Sequence, residues 1–172
     1  MGLVTPGDEL MMLELLNSTP MVAGEPRDEL EGPSGTRRWL AAHGQKGSVE
    51  EAKTLLELRP LLQEVVRGTK RSSVLAPFIA DVGCAARLTT EGIAWNLALP
   101  PGRSAAARIV LAWDELRRSS PGRLRPCANP ECRRFLIDHS KPNSARWCSM
   151  AICGNRMKAR RHHHKSREAV QK

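Results

Sequence analysis

Apolar residues in the first 50 positions group into two short stretches. Residues 10–16, LMMLELL, predict a helix that ends before Pro20, because the residue preceding a proline disfavours helical dihedral angles. Residues 20–36 mix proline, glycine and charge, which predicts a loop. Residues 39–42, WLAA, form the second stretch, and Trp39 is predicted to anchor it in the core.

The segment between Ser48 and Gly68 has a clear helical periodicity. Its apolar side chains recur at three- and four-residue steps on one helical face, namely Leu55, Leu58, Leu62 and Val65. Ser48 is predicted as the N-cap, with Glu51 as its capping-box partner. Gly68 is predicted to stop the helix, and Pro60 to kink or divide it.

The periodicity changes from helical to alternating in residues 85–99. Apolar side chains alternate with polar or small ones at Ala86, Leu88, Ile93, Trp95, Leu97 and Leu99. Thr-Glu-Gly at residues 90–92 separates the two runs, so the pattern predicts a β-hairpin with one buried face. A short helix capped by Ser72 or Ser73 and running to about Asp81 is predicted before the hairpin.

A last helix of this region is predicted from Ser104, as its cap, to about Arg118. Its inward side chains are predicted to be Ile109, Val110, Trp113 and Leu116. Residues 119–122, SSPG, are typical of a short linker. The 172 residues therefore divide into a mainly α-helical domain with one β-hairpin, residues 1–120, and a small second domain, residues 123–172.

Four of the five cysteines lie in one 27-residue window, as two pairs with equal internal spacing. They are Cys127 with Cys132, the first clip, and Cys148 with Cys153, the second clip. Four thiolates from two such clips can close a tetrahedron around one Zn²⁺, the usual geometry of a structural site. Two disulfides or four unrelated buried thiols are the alternatives, but disulfides need an oxidising compartment. The sequence predicts one structural zinc ion.

The residues around the clips predict a small zinc finger. A strand-like run at residues 133–138, a turn at residues 141–143 and a helix from about Ser149 to Arg167 give the order knuckle, hairpin, helix. This order resembles a treble-clef zinc finger. Fifty residues bury too little apolar surface to fold securely alone, so the metal is expected to supply much of the stability. The predicted finger core is Phe135, Trp147, Ile152 and Met157.

The excess positive charge lies entirely in this finger. The net charge is +9 for the chain; residues 1–122 hold 14 basic and 15 acidic residues, whereas residues 123–172 hold 13 basic and three acidic ones. A near-neutral body with a basic, metal-bound end indicates a polyanion partner, although a merely solvated basic tail is the alternative.

The basic helix is predicted to approach a groove of double-stranded DNA. Asn155 and Arg156 are candidates for base edges, since an amide and a guanidinium can contact adenine and guanine in pairs of hydrogen bonds. For Asn155, a role at the helix start beside Cys153 is the alternative. The other predicted DNA contacts, chiefly with phosphates, are Arg133, Arg134, Lys141, Arg146, Lys158, Arg160, Arg161, Lys165 and Arg167. Residues 162–164, three histidines, are a second metal site or, as we favour, a solvated basic face.

The chain shows no catalytic constellation, so it is predicted not to be an enzyme. His43 stands alone, and Cys84 is typical of a small buried apolar group. No apolar run reaches the roughly 18 residues of a membrane span, and acidic residues precede the first apolar run, unlike a signal peptide. A cytoplasmic location without a membrane partner is expected. Six aromatic residues are few for a protein that stacks RNA bases.

The second clip also carries a family resemblance. Trp147-Cys148-Ser149 and Cys153-Gly154-Asn155-Arg156 resemble the bacterial CGNR zinc-finger family, over residues 123–167. Such fingers commonly follow a domain called ABATE, regarded as a stress-linked transcription regulator, which residues 10–118 resemble. The opening Leu-Asp-x-x-Asn-Thr of that domain is similar to residues 13–18 here, with Glu14 for Asp and Ser18 for Thr. Its Trp-Leu and Leu-Arg pairs are similar to residues 39–40 and 58–59.

The residues and the resemblance together predict a zinc-dependent, DNA-binding transcriptional regulator, associated with the bacterial nucleoid when bound. Its N-terminal domain is expected to sense a small-molecule effector or to form a homodimer. The alternative is a protein-interaction module that docks on the transcription machinery or another acidic partner. No motif specifies the operator, the effector or the sign of regulation.

Overall fold

The computed structural model of the protein describes residues 3–170, with the side chains of Pro33, His164, Lys165 and residues 167–170 left out. The helices are α1 (Pro6–Asn17), α2 (Gly32–Ala42), α3 (Val49–Arg67), α4 (Ala76–Ile79), α5 (Ser104–Ser119) and α6 (Asn155–Val170). The strands are β1 (Met21–Val22), β2 (Glu25–Pro26), β3 (Gly83–Thr89), β4 (Gly92–Ala98), β5 (Leu124–Pro126) and β6 (Phe135–Ile137). They form three antiparallel hairpins, β1–β2, β3–β4 and β5–β6. The mainly helical first domain and the short hairpin plus basic helix of the finger are thus as predicted.

α1 begins earlier than the predicted residues 10–16 because its first turn is capped. The Thr5 hydroxyl accepts a hydrogen bond from the Asp8 backbone N–H (3.3 Å), and an Asp8 carboxylate oxygen accepts one from the Thr5 N–H (2.8 Å). This reciprocal capping box satisfies two backbone donors that the helix leaves unpaired, and Pro6 suits the first helical position.

Residues 20–36 are not the predicted loop throughout. They contain the small β1–β2 hairpin and the first residues of α2. Packing holds the start of this helix: the buried Thr36 hydroxyl donates to the Leu30 carbonyl (2.8 Å), and Leu40 is fully buried. Trp39, the predicted anchor, is only half-buried against the core.

α3 is one continuous helix across Pro60, so the predicted division of the helix does not occur. Leu58 and Leu62, on either side of the proline, are fully buried, so packing offsets the hydrogen bond that the proline cannot donate. Gly68 ends the helix in a left-handed conformation, φ +77°, as predicted.

α1, α3 and α5 pack together and bury the predicted apolar faces. The main core side chains are Met11, Met12, Leu15, Leu16, Leu55, Leu58, Leu62, Ile109, Val110, Trp113 and Leu116. The predicted helix to Asp81 is shorter, with a 3₁₀ turn (Ser72–Leu75) that leads into α4. Arg71, not a serine, holds its N-cap position and makes no side-chain cap bond.

Glu51 caps a different helix from the one predicted. Ser48 does accept from the Glu51 N–H (3.1 Å), but the Glu51 carboxylate points away from α3 and accepts from the backbone N–H groups of Ser104 (2.8 Å) and Ala105 (3.2 Å). Ser104 is therefore the first residue of α5 and a donor, not the predicted N-cap, which is Arg103.

The β3–β4 hairpin has the predicted strands and turn, with Leu88 opposite Ile93 and Ala86 opposite Trp95. Its predicted burial is wrong. The exposed fractions are 80% for Leu88, 64% for Ile93 and 58% for Trp95. The hairpin makes its contacts mainly between its own two strands, so its apolar face is directed to solvent.

Candidate metal centre

The four clip cysteines converge at the junction of β5, β6 and α6. Their Sγ atoms all lie within 4.8 Å of one another, and Cys148 Sγ is 3.7 Å from the Sγ atoms of both Cys132 and Cys153. A tetrahedron with Zn–S bonds of about 2.3 Å has edges of roughly 3.8 Å, whereas a disulfide joins sulfurs at about 2.05 Å. The four thiols are unbridged, and their spacing is that of ligands to one zinc ion.

The first clip is shaped by backbone turns and by Asn129. Cys127 N–H donates to the Arg134 carbonyl (2.9 Å) and Cys132 N–H to the Asn129 carbonyl (2.9 Å). The fully buried Asn129 amide donates to Cys153 Sγ (3.5 Å) and accepts from the Glu131 N–H (3.3 Å). Asn129 thereby links the first clip to a ligand of the second.

The second clip lies against the first through main-chain bonds. Ala128 N–H donates to the Arg146 carbonyl (2.8 Å), and Cys148 N–H donates to Cys127 Sγ (3.4 Å). N–H···S bonds of this kind stabilise thiolates and orient metal ligands. The clip then enters one π-helical turn (Met150–Gly154) that leads directly into α6.

A side chain at Gly154 would crowd this turn where it meets Met150 and Trp147. A Cβ atom at Gly154 would lie 2.8 Å from the Met150 sulfur and 3.3 Å from the Trp147 ring. The absence of a side chain lets the second clip close on the half-buried indole, which places Cys153 at the start of α6.

The electrostatics of the metal-free thiols favour a divalent cation. Burial raises the pKa of Cys148, and the neighbouring thiols of Cys132 and Cys153 raise it further. Burial also raises the pKa of Cys132. At Cys153 burial acts in the same direction, but hydrogen bonds, first from Asn129, lower the pKa overall. Thiolates so close repel one another, and a bound dication offsets that repulsion. All four tetrahedral positions come from protein, which is the arrangement of a structural rather than a catalytic zinc.

Asp138 organises the loop between the clips, a role that the sequence did not reveal. Its carboxylate is 3% exposed and accepts from the Arg125 guanidinium (2.5 Å), the Ala145 N–H (2.7 Å) and the Ser140 N–H (2.9 Å). These bonds, led by those of Ser140, lower the pKa of Asp138 to about 2. An aspartate isolated among basic residues was the only signal of this role in the sequence.

The predicted DNA-contacting side chains within the described part of the finger are solvent-exposed. They are Arg133, Arg134, Lys141, Arg146, Asn155, Arg156, Lys158, Arg160 and Arg161. Three of them have partners within the finger: Arg160 pairs with Glu131 (2.5 Å), the Arg146 guanidinium lies 5.2 Å from the Trp147 ring centroid, and the Asn155 amide donates to the Ala151 carbonyl (3.3 Å). The side chains of Lys165 and Arg167 lie outside the described residues.

The finger does not have the core predicted for it. Trp147 and Met157 are half-buried, but Ile152 is 55% exposed. Phe135 is 1% exposed and belongs to the core of the N-terminal helices. The Arg67 guanidinium of α3 lies 4.5 Å from the Phe135 ring centroid, and Arg67 also donates to the Arg133 carbonyl (3.3 Å). The finger is therefore packed directly on the body.

The opening motif, residues 13–18, has structural contacts rather than a free site. Glu14 Oε2 is 3.0 Å from the His43 imidazole, which the sequence had suggested was isolated. Ser18 is fully buried and accepts from the Arg59 guanidinium (3.0 Å). The later Trp-Leu and Leu-Arg pairs have structural contacts as well. Leu40 and Leu58 lie in the core of the body with Trp39 packed against it, and Arg59 forms an ion pair with Asp28.

In the part of the chain that the structure describes, no helix combines the length and apolarity needed to cross a membrane.

Comparison with known families agrees with this architecture. The CGNR zinc finger family model matches residues 123–166, and ABATE, putative stress-induced transcription regulator, matches residues 10–129. No curated protein matches the chain. The two family matches overlap at residues 123–129, which include the first zinc ligand. Because the second match spans more than half of the 172 residues, the chain belongs to the ABATE family of putative stress-induced transcription regulators, and it carries a CGNR zinc finger whose four cysteines are placed to bind one zinc ion.

Proposed function

We propose that the protein is a zinc-dependent transcriptional regulator whose finger binds double-stranded DNA. The observation that carries the proposal is the concentration of charge: 13 basic and three acidic residues fall in residues 123–172, on a body that is nearly neutral. Arg156, Lys158 and Arg161 are exposed in the first two turns of α6, directly after the ligand Cys153. Like charges this close repel, and a row of phosphates offsets that repulsion.

The metal sets where this charge is presented. α6 starts one residue after the π-helical turn that holds Cys153, so the zinc fixes the N-terminal end of the basic helix. The contacts of Phe135 with the body then fix the finger. A preformed cationic helix loses less conformational entropy on binding than a disordered basic tail would.

Double-stranded DNA suits the site better than single-stranded RNA. Sequence-specific RNA binding commonly uses exposed rings on which bases stack, but Trp147 is half-buried under Arg146 and Phe135 lies in the core. A helix with cationic side chains instead fits the width of the DNA major groove.

Regulation by binding, at the bacterial nucleoid in the cytoplasm, completes the proposal. A zinc ion held by four cysteines has no open coordination position, so its role in the proposal is to stabilise the finger and not to catalyse a reaction. For an effector, the body offers an open cavity of about 670 Å³ between the start of α3 and the start of α5. Lys46, Glu50 and Arg108 are among its lining residues. Charges of both signs suit a small zwitterionic molecule.

Fluorescence anisotropy with a labelled DNA duplex, measured on the zinc-loaded full chain at 50 to 300 mM salt, tests the proposal. Each phosphate contact should contribute about −0.9 to the slope of log K against log salt. We expect a steep slope that falls by roughly two in the double variant K158Q/R161Q. The matched control K46Q/R71Q removes the same charge from exposed positions of the body and should leave the slope unchanged. Undetectable binding at low salt, or equal effects of both variants, would count against the finger as the DNA-binding surface.

A further inference from the structure

The β3–β4 hairpin carries an apolar face that the body leaves uncovered. Directly opposite residues of antiparallel strands project to the same side of the sheet. The register therefore places three pairs on one face: Cys84 with Leu97, Ala86 with Trp95, and Leu88 with Ile93. We call this the hairpin face. The opposite face carries Ala85 with Asn96, Arg87 with Ala94, and Thr89 with Gly92.

The hairpin face is too apolar and too exposed to be explained as ordinary surface. Leu88, Ile93 and Trp95 are 80%, 64% and 58% exposed, which leaves roughly 400 Å² of contiguous apolar area, as large as the functional patches of typical monomers. A two-stranded hairpin that packs mainly on itself is marginally stable in water at best. Both the area and the marginal stability indicate that another surface covers this face.

We propose that the hairpin face is the interface of a homodimer, covered by the same face of a second copy of this chain. Two such faces contribute about 800 Å² from the three large side chains of each copy, and the remaining side chains and strand backbone bring the total near the roughly 1,200 Å² of the smaller specific interfaces. An interface between two identical partners about a two-fold axis must be self-complementary.

The shape of the hairpin face meets that requirement. Its central pair joins a large side chain, Trp95, to a small one, Ala86. A two-fold axis between the sheets and along the strands places Trp95 of each copy over Ala86 of the other, so that the two indoles interdigitate instead of colliding. The same operation places Leu88 over Ile93. Two stacked antiparallel sheets pack in this way at about 10 Å.

The lack of charge on the hairpin face argues against a nucleic acid or an acidic protein as its occupant. The face itself bears no ionisable side chain apart from the thiol of Cys84; Arg87 lies on the opposite face and Glu91 in the turn. A nucleic acid or an acidic protein would find no cation there. The polyanion-binding charge belongs to the finger instead.

A dimer of this kind would present two α6 helices related by two-fold symmetry. If the proposed DNA binding is correct, the dimer would read two half-sites in inverted orientation. The dimer itself does not rest on that function, because its interface and the basic helix share no residue. The test therefore uses the zinc-loaded chain without DNA.

Sedimentation equilibrium of the full chain tests the proposal, and we expect a mass twice the 19.0 kDa of one chain. W95E places like charges together across the axis, and we expect it to raise the dimer dissociation constant at least 100-fold. N96E is the matched control, since it adds the same charge one residue away on the opposite face, and it should remain dimeric. Circular dichroism and one zinc per chain establish that each variant is folded.

Amide hydrogen exchange of the wild-type chain keeps the test independent of the variants. Exchange of residues 83–98 should slow as the protein concentration rises through the dissociation constant, while exchange in α6 should not change. A wild-type protein that remains monomeric at 100 μM overturns the proposal. So does a dimer that W95E and N96E weaken equally, or one whose hairpin exchange does not depend on concentration.

Discussion

The side-chain amide of Asn17, at the end of α1, pairs with both backbone groups of Phe135 in β6. Asn17 Oδ1 accepts from the Phe135 N–H (2.7 Å), and Asn17 Nδ2 donates to the Phe135 carbonyl (3.2 Å). The amide makes the two bonds that a neighbouring strand would make at this edge of the β5–β6 hairpin. The motif that opens the N-terminal domain thus holds the zinc finger through its asparagine.

Asn17→Ala should weaken the attachment of the finger to the body. Two hydrogen bonds are lost and the Phe135 N–H is left without its partner, so the free energy of unfolding should fall by about 1–3 kcal/mol. Denaturant unfolding of the zinc-loaded protein measures this loss, and exchange of the Phe135 amide should accelerate. Asn96→Ala removes an amide from an exposed position of β4 and should change little. Equal stabilities of the two variants would show that the pairing contributes nothing.

Glu51→Gln should destabilise the start of α5. Both Glu51 oxygens accept from α5, and the side chain is 3% exposed. A glutamine turns an N–H₂ group towards these donors and removes the charge that favours a helix N-terminus, at a cost of about 1.5–3 kcal/mol. Glu50→Gln changes the neighbouring exposed residue in the same way and is the control for thermal unfolding. A Tm for Glu51→Gln as high as that of the control would refute this capping role.

The sequence could predict α3, α5 and the β3–β4 hairpin because their signals are local repeats of apolar residues. It could not predict α2, since Gly32 and Gly35 resemble a loop and the helix is held by the burial of Leu40 and by Thr36 bonded to Leu30. The partner of Glu51 lies 53 residues further along the chain. Such distant pairings leave no periodic signal.

The residues of the candidate site also fall into those that the sequence could predict and those that it could not. The zinc ligands could be predicted, because the spacing of the two cysteine pairs in the sequence is by itself typical of a structural zinc site. The contribution of Asn129 depends on the return of the chain to Cys153, and that of Asp138 on the position of Arg125. Phe135 was assigned to the correct strand and to the wrong core, since the pattern of one strand does not identify the surface against which it packs.

The ion pair of Arg59 and Asp28 should make stability depend on pH. Arg59 is 9% exposed and donates two hydrogen bonds to the Asp28 carboxylate (2.7 and 2.6 Å), which lower the pKa of Asp28 below its ordinary 3.8 despite partial burial. The stabilisation is therefore complete above pH 3.8 and is lost as pH falls through the lowered pKa.

Asp28→Asn should reduce stability at pH 7 by about 2–4 kcal/mol, because it leaves the Arg59 charge without its partner. The difference between wild type and variant should narrow as pH falls below 3.8, which unfolding at a series of pH values measures. Acid release of zinc from thiolates occurs in both proteins and cancels in the difference. A difference that stays constant down to pH 2.5 would contradict the assignment.

Arg156→Ala tests whether α6 reads bases. If the guanidinium contacts a guanine, the change should weaken binding to a site selected from random duplexes by about 1–3 kcal/mol and weaken binding to random DNA little. Arg71→Ala, on an exposed body residue, should affect neither. Anisotropy titrations on both duplexes measure the two affinities. An equal loss on both would make Arg156 a phosphate contact.

Cys148→Ser should release the zinc and destabilise more than the finger. Cys148 lies between Cys132 and Cys153, 3.7 Å from each sulfur, so a hydroxyl there removes the ligand that joins the two clips. When the finger unfolds, Phe135 leaves the core of the body, and the loss of a buried phenylalanine costs about 3–5 kcal/mol in comparable cores. Elemental analysis should find no zinc, and the helices of residues 6–119 should unfold at a lower temperature than in the wild type.

Cys84→Ser is the control for this prediction: it replaces the exposed thiol of β3 and should retain one zinc per chain. Retention of zinc by Cys148→Ser would overturn the four-cysteine assignment. An unchanged thermal transition of the helices would show instead that the body folds without the finger and that Phe135 packs on it passively.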